Sequence, residues 1–267
     1  VKLIAPRLDV LPASQRYLWP LLSQIEPGFV LYGGTAIALY YGHRQSVDFD
    51  FFGVPPVDPT ALKAKYDFLR AAEIIQAEPN SVSMLAETPH GVVKCSFFGG
   101  LEFGRVDTPM ASEDNLVRLA SPLDLAVQKL KFIWVRSEAK DYRDLDCLLQ
   151  NGVNLAEAMG AAEAIYPGFP VAVSLRAMCY FEEGDVGTLA PDVKKRLVSA
   201  VQAFERPAAY QKVSAYLDMP ADLVALLKER RQEIQLPPIP SVPAKGIRLL
   251  GEIDLRLPPE LGGRREP

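Results

Sequence analysis

Asp48 and Asp50 stand one residue apart in the aromatic run Val47-Asp48-Phe49-Asp50-Phe51-Phe52, and they are the residues of this chain best placed to do chemistry. In a strand, period-2 geometry turns both carboxylates to one face and Phe49 and Phe51 to the other. Two acids on one face can share a divalent metal; Mg²⁺, with Mn²⁺ as an alternative, takes one or two carboxylates plus substrate phosphates. Unpaired carboxylates in an aromatic strand are costly, so the pair calls for a cation. Upstream, Gly33-Gly34-Thr35 follows the apolar run Phe29-Val30-Leu31-Tyr32. It reads as a tight strand exit, with Thr35 capping the helix that begins next. A helix N-terminus there offers free amides to a phosphate. Each motif alone is ordinary, a turn and cap in one case and a solvated strand face in the other. Their succession, with the connector Gly42-His43-Arg44-Gln45-Ser46 between them, sets a phosphate-binding turn before a metal-binding pair. Nucleotidyl transfer needs that order.

A second block lies further along. From Pro122, the residues Leu123, Ala126, Val127, Leu130, Ile133 and Trp134 recur at helical spacing and form a core-facing stripe. Lys129 and Arg136, seven apart, fall together at one margin of that stripe, and Lys131 falls at the other. The first two either reach a shared anionic group or snorkel at the edge of the core. Asp141 and Asp144 are neighbours on the following helix, and Lys140 with Asp144 also reads as a plain i,i+4 ion pair. Asp144 precedes Leu145 and Leu148, which places it near the buried face. A near-buried acid there requires Lys129, Arg143 or a metal-bound water as partner.

These blocks resemble the nucleotidyltransferase AbiEii/AbiGii toxin family of the polymerase-beta-like nucleotidyltransferase superfamily. Gly33 to Phe52 match its first motif almost residue for residue. Leu123-Asp124 through Lys129-Leu130-Lys131, then Arg136 and Lys140-Asp141-Tyr142-Arg143-Asp144-Leu145, look like its lysine and aspartate motifs. Ala177 to Glu183 is a weaker match. The resemblance runs from about residue 25 to residue 205 and implies the toxin of a bacterial toxin-antitoxin or phage-defence pair. It implies transfer of a nucleoside monophosphate from an NTP to an acceptor such as a transfer RNA end, with a cognate antitoxin as partner. On this reading Asp48 and Asp50 hold Mg²⁺, while Gly33, Gly34 and Thr35 seat the phosphates with Arg44, Ser46 and Arg136. Lys129 stabilises phosphate charge or orients the acceptor, and Asp144 or Asp141 positions or deprotonates the attacking hydroxyl. One departure stands out: polymerase-like transferases place a third carboxylate on a neighbouring strand, and Val92 to Phe98 carries none. Two other classes stay open, a degenerate nucleotide-binding module and a small-molecule adenylyltransferase of the antibiotic-modifying kind.

The elements that must position these residues divide near residue 115. Strand-like runs at 29–32, 47–52, 81–85, 92–98 and 103–106 alternate with a short helix after Gly34 and a longer one through Ala61 to Ala72. Helical patterns follow at 122–136, 140–150, 154–165, 169–182, 190–204, 206–217 and 220–232. The expected fold is α+β: a small mixed sheet with flanking helices over 1–115, a helical subdomain completing the cleft over 116–235, and a proline-rich arm over 236–267. With 267 residues, 49% of them hydrophobic, the chain is ample for one core. A net charge of -4 argues against broad nonspecific nucleic-acid binding, although a patch around His43, Arg44, Lys129 and Arg136 can still take phosphates. Cys95, Cys147 and Cys179 lack metal-ligand spacing and read as buried thiols of a reducing compartment. No apolar run of membrane length or secretory signal appears, so a cytoplasmic protein is expected.

Overall fold

In a computed structural model of the chain, the described residues are 2–215 and Leu217. They form an α+β fold with one mixed sheet of eight strands. In chain order the elements are β1 (Lys2–Ile4), α1 (Ala13–Leu18), β2 (Phe29–Tyr32), α2 (Gly33–Tyr41), β3 (Asp48–Gly53) and α3 (Pro59–Lys65). Next come β4 (Glu73–Glu78), β5 (Ser81–Thr88), β6 (Gly91–Phe98), β7 (Met110–Ser112) and β8 (Arg118–Leu119). Five helices follow: α4 (Pro122–Ile133), α5 (Ala139–Gln150), α6 (Leu155–Ile165), α7 (Val171–Met178) and α8 (Pro191–Gln202). The strand order is β1-β7-β8-β2-β3-β6-β5-β4.

β2 and β3 lie in the middle of this order because their sequences tolerate burial. All four residues of β2 are buried. β3 alternates as its period demands: Phe49 and Phe51 are fully buried, and Asp48 and Asp50 are part-exposed. On the aromatic face Trp19 meets Phe49 at 6.4 Å, Phe51 stacks on Phe97 at 5.2 Å, and Tyr66 stacks on Phe97 at 6.0 Å. Each such ring removes apolar surface worth about 1.5–3 kcal/mol from water. β3 is antiparallel to β2 and parallel to β6, and the second pairing sets Lys94 opposite Asp48 and Ser96 opposite Asp50.

Every residue of α4 from Leu123 to Ile133 is buried. The amphipathic stripe expected from its sequence is therefore wrapped on all sides, and each polar residue meets a partner. Ser121 caps the helix by accepting from the Asp124 amide at 3.0 Å, and Pro122 at the first position needs no donor. Asp124, part of the motif block, accepts from the Val106 and Asp107 amides at 2.9 and 3.2 Å and so fastens the 105–107 segment to the helix. Lys131 lies over the Tyr166 ring, 3.9 Å from its centroid.

Several boundaries differ from the expectation. The helix expected through Ala61 to Ala72 ends at Lys65 and gives way to a 3₁₀ turn at Asp67–Leu69, after which β4 forms the sheet edge. Residues 103–106 are not a strand; Arg105 makes only an isolated bridge to Ser214. That bridge draws 206–215 into an irregular segment where a helix was expected. α4 stops at Ile133, so Arg136 lies in the connector to α5. The Ala177 to Glu183 segment braces α5, because Tyr142 donates to the Ala177 carbonyl at 3.0 Å and Phe181 packs edge-on to Tyr142. Cys95 and Cys147 are buried, Cys179 is half-buried, and all three are free thiols. Among the described residues no helix is long and apolar enough to cross a membrane. The helix expected at 220–232 and the arm from 236 lie outside the described residues.

Candidate active site

The strand exit and the acid pair meet at β2, α2 and β3. Gly33 has φ +75°, a left-handed conformation that a side chain rarely adopts, and a Cβ there would lie 2.8 Å from Asp50 Oδ2. At Gly34 a Cβ would lie 2.1 Å from Arg44 Nη2. The two glycines thus let a carboxylate and a guanidinium lie directly against the backbone at the first turn of α2. Gln128 of α4 accepts from the Gly33 amide at 3.2 Å and ties the turn to the helical half. Thr35 corrects the sequence expectation: it lies inside α2, is buried, and makes no cap. Its hydroxyl donates to the Asp48 carbonyl and pins β3 to α2.

A cavity of about 400 Å³ opens above the pair, between the sheet and α4. Gly33, Gly34, Arg44, Ser46, Asp48, Asp50, Lys129 and Arg136 line it, together with Gln76, Lys94, Gln128 and Lys140. Thr35, Asp141 and Asp144 do not. A larger cavity of about 630 Å³ lies around Leu149, Leu155 and Phe204 and gathers none of these groups.

Asp50 is held uneasily. Its Oδ1 is buried with no hydrogen-bond partner among the described residues. Burial, reinforced by the neighbouring Asp48 charge, pushes its pKa up to about 6 against the pull of Lys94, the Ser96 hydroxyl and Lys129. A carboxylate so placed gains from a cation. Among the described residues no cluster of three or more His, Cys, Asp or Glu gathers to hold a metal. Asp48 and Asp50 are a two-carboxylate donor set, which fits Mg²⁺ if phosphate and water oxygens complete its shell.

Behind the cavity wall lies a buried charge network that the helical block builds. Asp144, 0% exposed, accepts from His43 Nε2 at 2.7 Å, from Arg44 Nε and Nη2 at 2.6 and 2.7 Å, and pairs with Lys129 Nζ at 2.7 Å. Asp141, also 0% exposed, takes Lys129 Nζ at 2.7 Å and Arg136 Nε at 2.7 Å. Lys129 on α4 and Arg136 in the connector beyond its end do meet one anion, and that anion is Asp141; the helix that was expected to carry both ends before Arg136. Burial alone would raise both acids. The Lys129 ammonium, with His43 and Arg44 at Asp144 and with Arg136 at Asp141, outweighs it and holds both carboxyls below their usual range. The same contacts raise Lys129 despite its burial. Asp144, ionised and surrounded by three cationic or polar donors, is a poor proton acceptor, and its role is to fix Arg44 and Lys129 at the cavity wall.

Gly34→Ala tests this packing. The new methyl displaces Arg44 from Asp144, losing charge-assisted hydrogen bonds worth about 1.5–3 kcal/mol. The loss in urea denaturation is expected to be near that size in the wild type and much smaller in an Arg44→Ala background. Equal losses in both backgrounds would mean that Arg44 does not set the glycine requirement.

Gln128 and Lys94 line the cavity without having been singled out from the sequence, and His43, expected in the phosphate-binding patch, holds Asp144 behind the cavity wall. His43 stood in the motif connector. Gln128 and Lys94 carried no local signal, because the first depends on α4 lying beside α2 and the second on the β3–β6 register.

A 158-residue stretch, 58% of this chain and 74% of the other, is 29% identical to an uncharacterised protein of Aquifex aeolicus (strain VF5). Among solved structures, the nucleotidyltransferase toxin MenT4 of Mycobacterium tuberculosis H37Rv is 14% identical over 83% of this chain and 88% of its own, with a TM-score of 0.47. An antigenic nucleotidyltransferase-like protein of Paracoccidioides brasiliensis is 19% identical over 67% of this chain and 85% of its own, with a TM-score of 0.43. The sequence profile of the type IV toxin-antitoxin nucleotidyl transferases matches residues 17–219, a span that holds the glycine turn, the acid pair and the whole charge network. The chain therefore belongs to the nucleotidyl transferase AbiEii toxin family.

Proposed function

We propose that this nucleotidyltransferase is metal-dependent and transfers a nucleoside monophosphate from an NTP to an acceptor hydroxyl in the cavity between β3 and α4. The observation that carries this reading is the buried, unpartnered Asp50 Oδ1 beside Asp48 on one strand face, at a glycine turn with cations along the opposite wall. Asp48 and Asp50 would hold Mg²⁺ or Mn²⁺, which when bound neutralises phosphate charge as pyrophosphate leaves. Gly33 and Gly34 at the start of α2 would seat the phosphates with Ser46. Arg44, Lys129 and Arg136 present preorganised positive charge to the same region. Asp141 and Asp144 act through those cations and not by deprotonating the acceptor, a revision of the role expected from the sequence. Residues 1–115 would supply the core and 116–235 the half that completes the cleft.

The family brings an NTP and an antitoxin as partners. We infer an RNA end, such as that of a transfer RNA, as acceptor and the cytoplasm as the place of action. Incubating the purified protein with Mg²⁺, each labelled NTP in turn and total RNA tests the proposal. Label transferred to RNA is expected. Label on a small molecule would replace the acceptor, and nucleotide binding without transfer under any of the four NTPs would sink the reading.

A further inference from the structure

The strand beside the acid pair carries a cation. β6 runs parallel to β3 with Lys94 opposite Asp48 and Ser96 opposite Asp50, and register partners in adjacent strands present their side chains on one face. Lys94 and both acids line the same cavity. Among the described residues Lys94 makes no ion pair with either acid, although it shares their cavity and the register sets it directly opposite Asp48. Across the cavity, Arg44, Lys129 and Arg136 together outnumber Asp141 and Asp144, to which they are bound. The face therefore offers two carboxylates to a metal within a surplus of fixed positive charge. Paired catalytic ions sit roughly 3.5–4 Å apart. A second divalent ion would have to share the same two carboxylates while approaching Lys94, and no further acid on this strand face offsets the repulsion.

We propose that Lys94 stands in for a second divalent ion: the site holds one metal, and the Lys94 ammonium supplies the other positive charge to the nucleotide phosphates. This rests on the nucleotidyl-transfer reading above. It differs from a merely exposed strand lysine in predicting an ion count.

Mn²⁺ binding followed by electron paramagnetic resonance, with a saturating non-hydrolysable ATP analogue, reads that count without turnover. The wild type is expected to hold one Mn²⁺ per chain with no spin coupling. Lys94→Asp, which restores a third acid, is expected to hold two with a coupled signal. Lys94→Met keeps the length and removes the charge, so it remains informative if the aspartate variant does not fold. It should bind Mn²⁺ alone severalfold more tightly and the analogue about tenfold more weakly. A coupled Mn²⁺ pair in the wild type would overturn the proposal while leaving the metal-dependent reading in place, and so would unchanged affinities in Lys94→Met. Wild type that binds the analogue but no Mn²⁺ beyond that free in solution would overturn the metal reading itself, and Lys94's role with it.

Discussion

Asp48→Asn and Asp50→Asn are each expected to abolish Mg²⁺-dependent nucleotide transfer and metal-dependent nucleotide binding while leaving the fold in place. The amide keeps the shape of the carboxylate and removes the charge that attracts a hard cation. For Asp50 the expectation extends to stability. In the folded protein its pKa is pushed up to about 6, above the ordinary value of 3.8. Well below the ordinary value of 3.8 the carboxyl is protonated in folded and unfolded chains alike, and the variant and wild type should be equally stable. Between about pH 4 and pH 6 the unfolded chain releases the proton while the folded wild type still holds it, so stability falls across that window and levels off above it. At pH 8 without metal, Asp50→Asn should therefore be the more stable protein, by up to about 3 kcal/mol. Adding Mg²⁺ should raise the melting temperature of the wild type at pH 8 and leave that of the variant unmoved. Calorimetry showing equal Mg²⁺ and nucleotide affinity in the double variant would remove the metal assignment. A stability gap between Asp50→Asn and wild type that is the same at pH 3 and pH 8 without metal would remove the account of Asp50.

Asp144→Ala is expected to cost about 3–5 kcal/mol of stability, because truncating one partner of a buried network strands the others. His43 and Arg44 lose their carboxylate acceptor outright, and Lys129 keeps only Asp141. Removing Lys129 as well, as Asp144→Ala/Lys129→Met, should cost less than the sum of the two single changes, since fewer charges are then left unmatched. Acid should have a related effect on the wild type. Asp144 is held well below its usual range, so its stabilisation is present above the ordinary carboxylate pKa and is lost as the pH falls toward the depressed one. Urea denaturation of the four proteins between pH 3 and pH 7 reads both effects. Additive losses, with no narrowing of the gap between wild type and Asp144→Ala on acidification, would show that the network is not energetically coupled. Turnover should fall with stability held aside, because Arg44 and Lys129 would no longer be fixed at the cavity wall.

The sequence by itself determined whatever depends on a few consecutive residues. Asp48 and Asp50 share a face because a strand repeats every two residues, whatever lies beside it. Gly33 must be glycine where a strand turns at once into a helix through a positive φ, and the apolar spacing of 122–133 and 140–150 fixes two helices whose ends fall within a few residues of the expected ones. Tertiary structure decided which groups those residues face. Thr35 looked like a cap and bonds to β3 instead, because α2 folds back along that strand and puts the Asp48 carbonyl within reach. Asp144 was expected near the buried face with Lys129 among its possible partners, and it meets Lys129; that His43 and Arg44 join it, and that Arg136 and Lys129 meet at Asp141, follows because α4, α5 and the α2–β3 connector converge from positions up to about a hundred residues apart. β4 escaped notice because an edge strand need not bury an alternating face. Lys94 faces Asp48 only through a strand register that no local pattern specifies, since side-chain period fixes the face of each strand but not which residue of the next strand lies opposite.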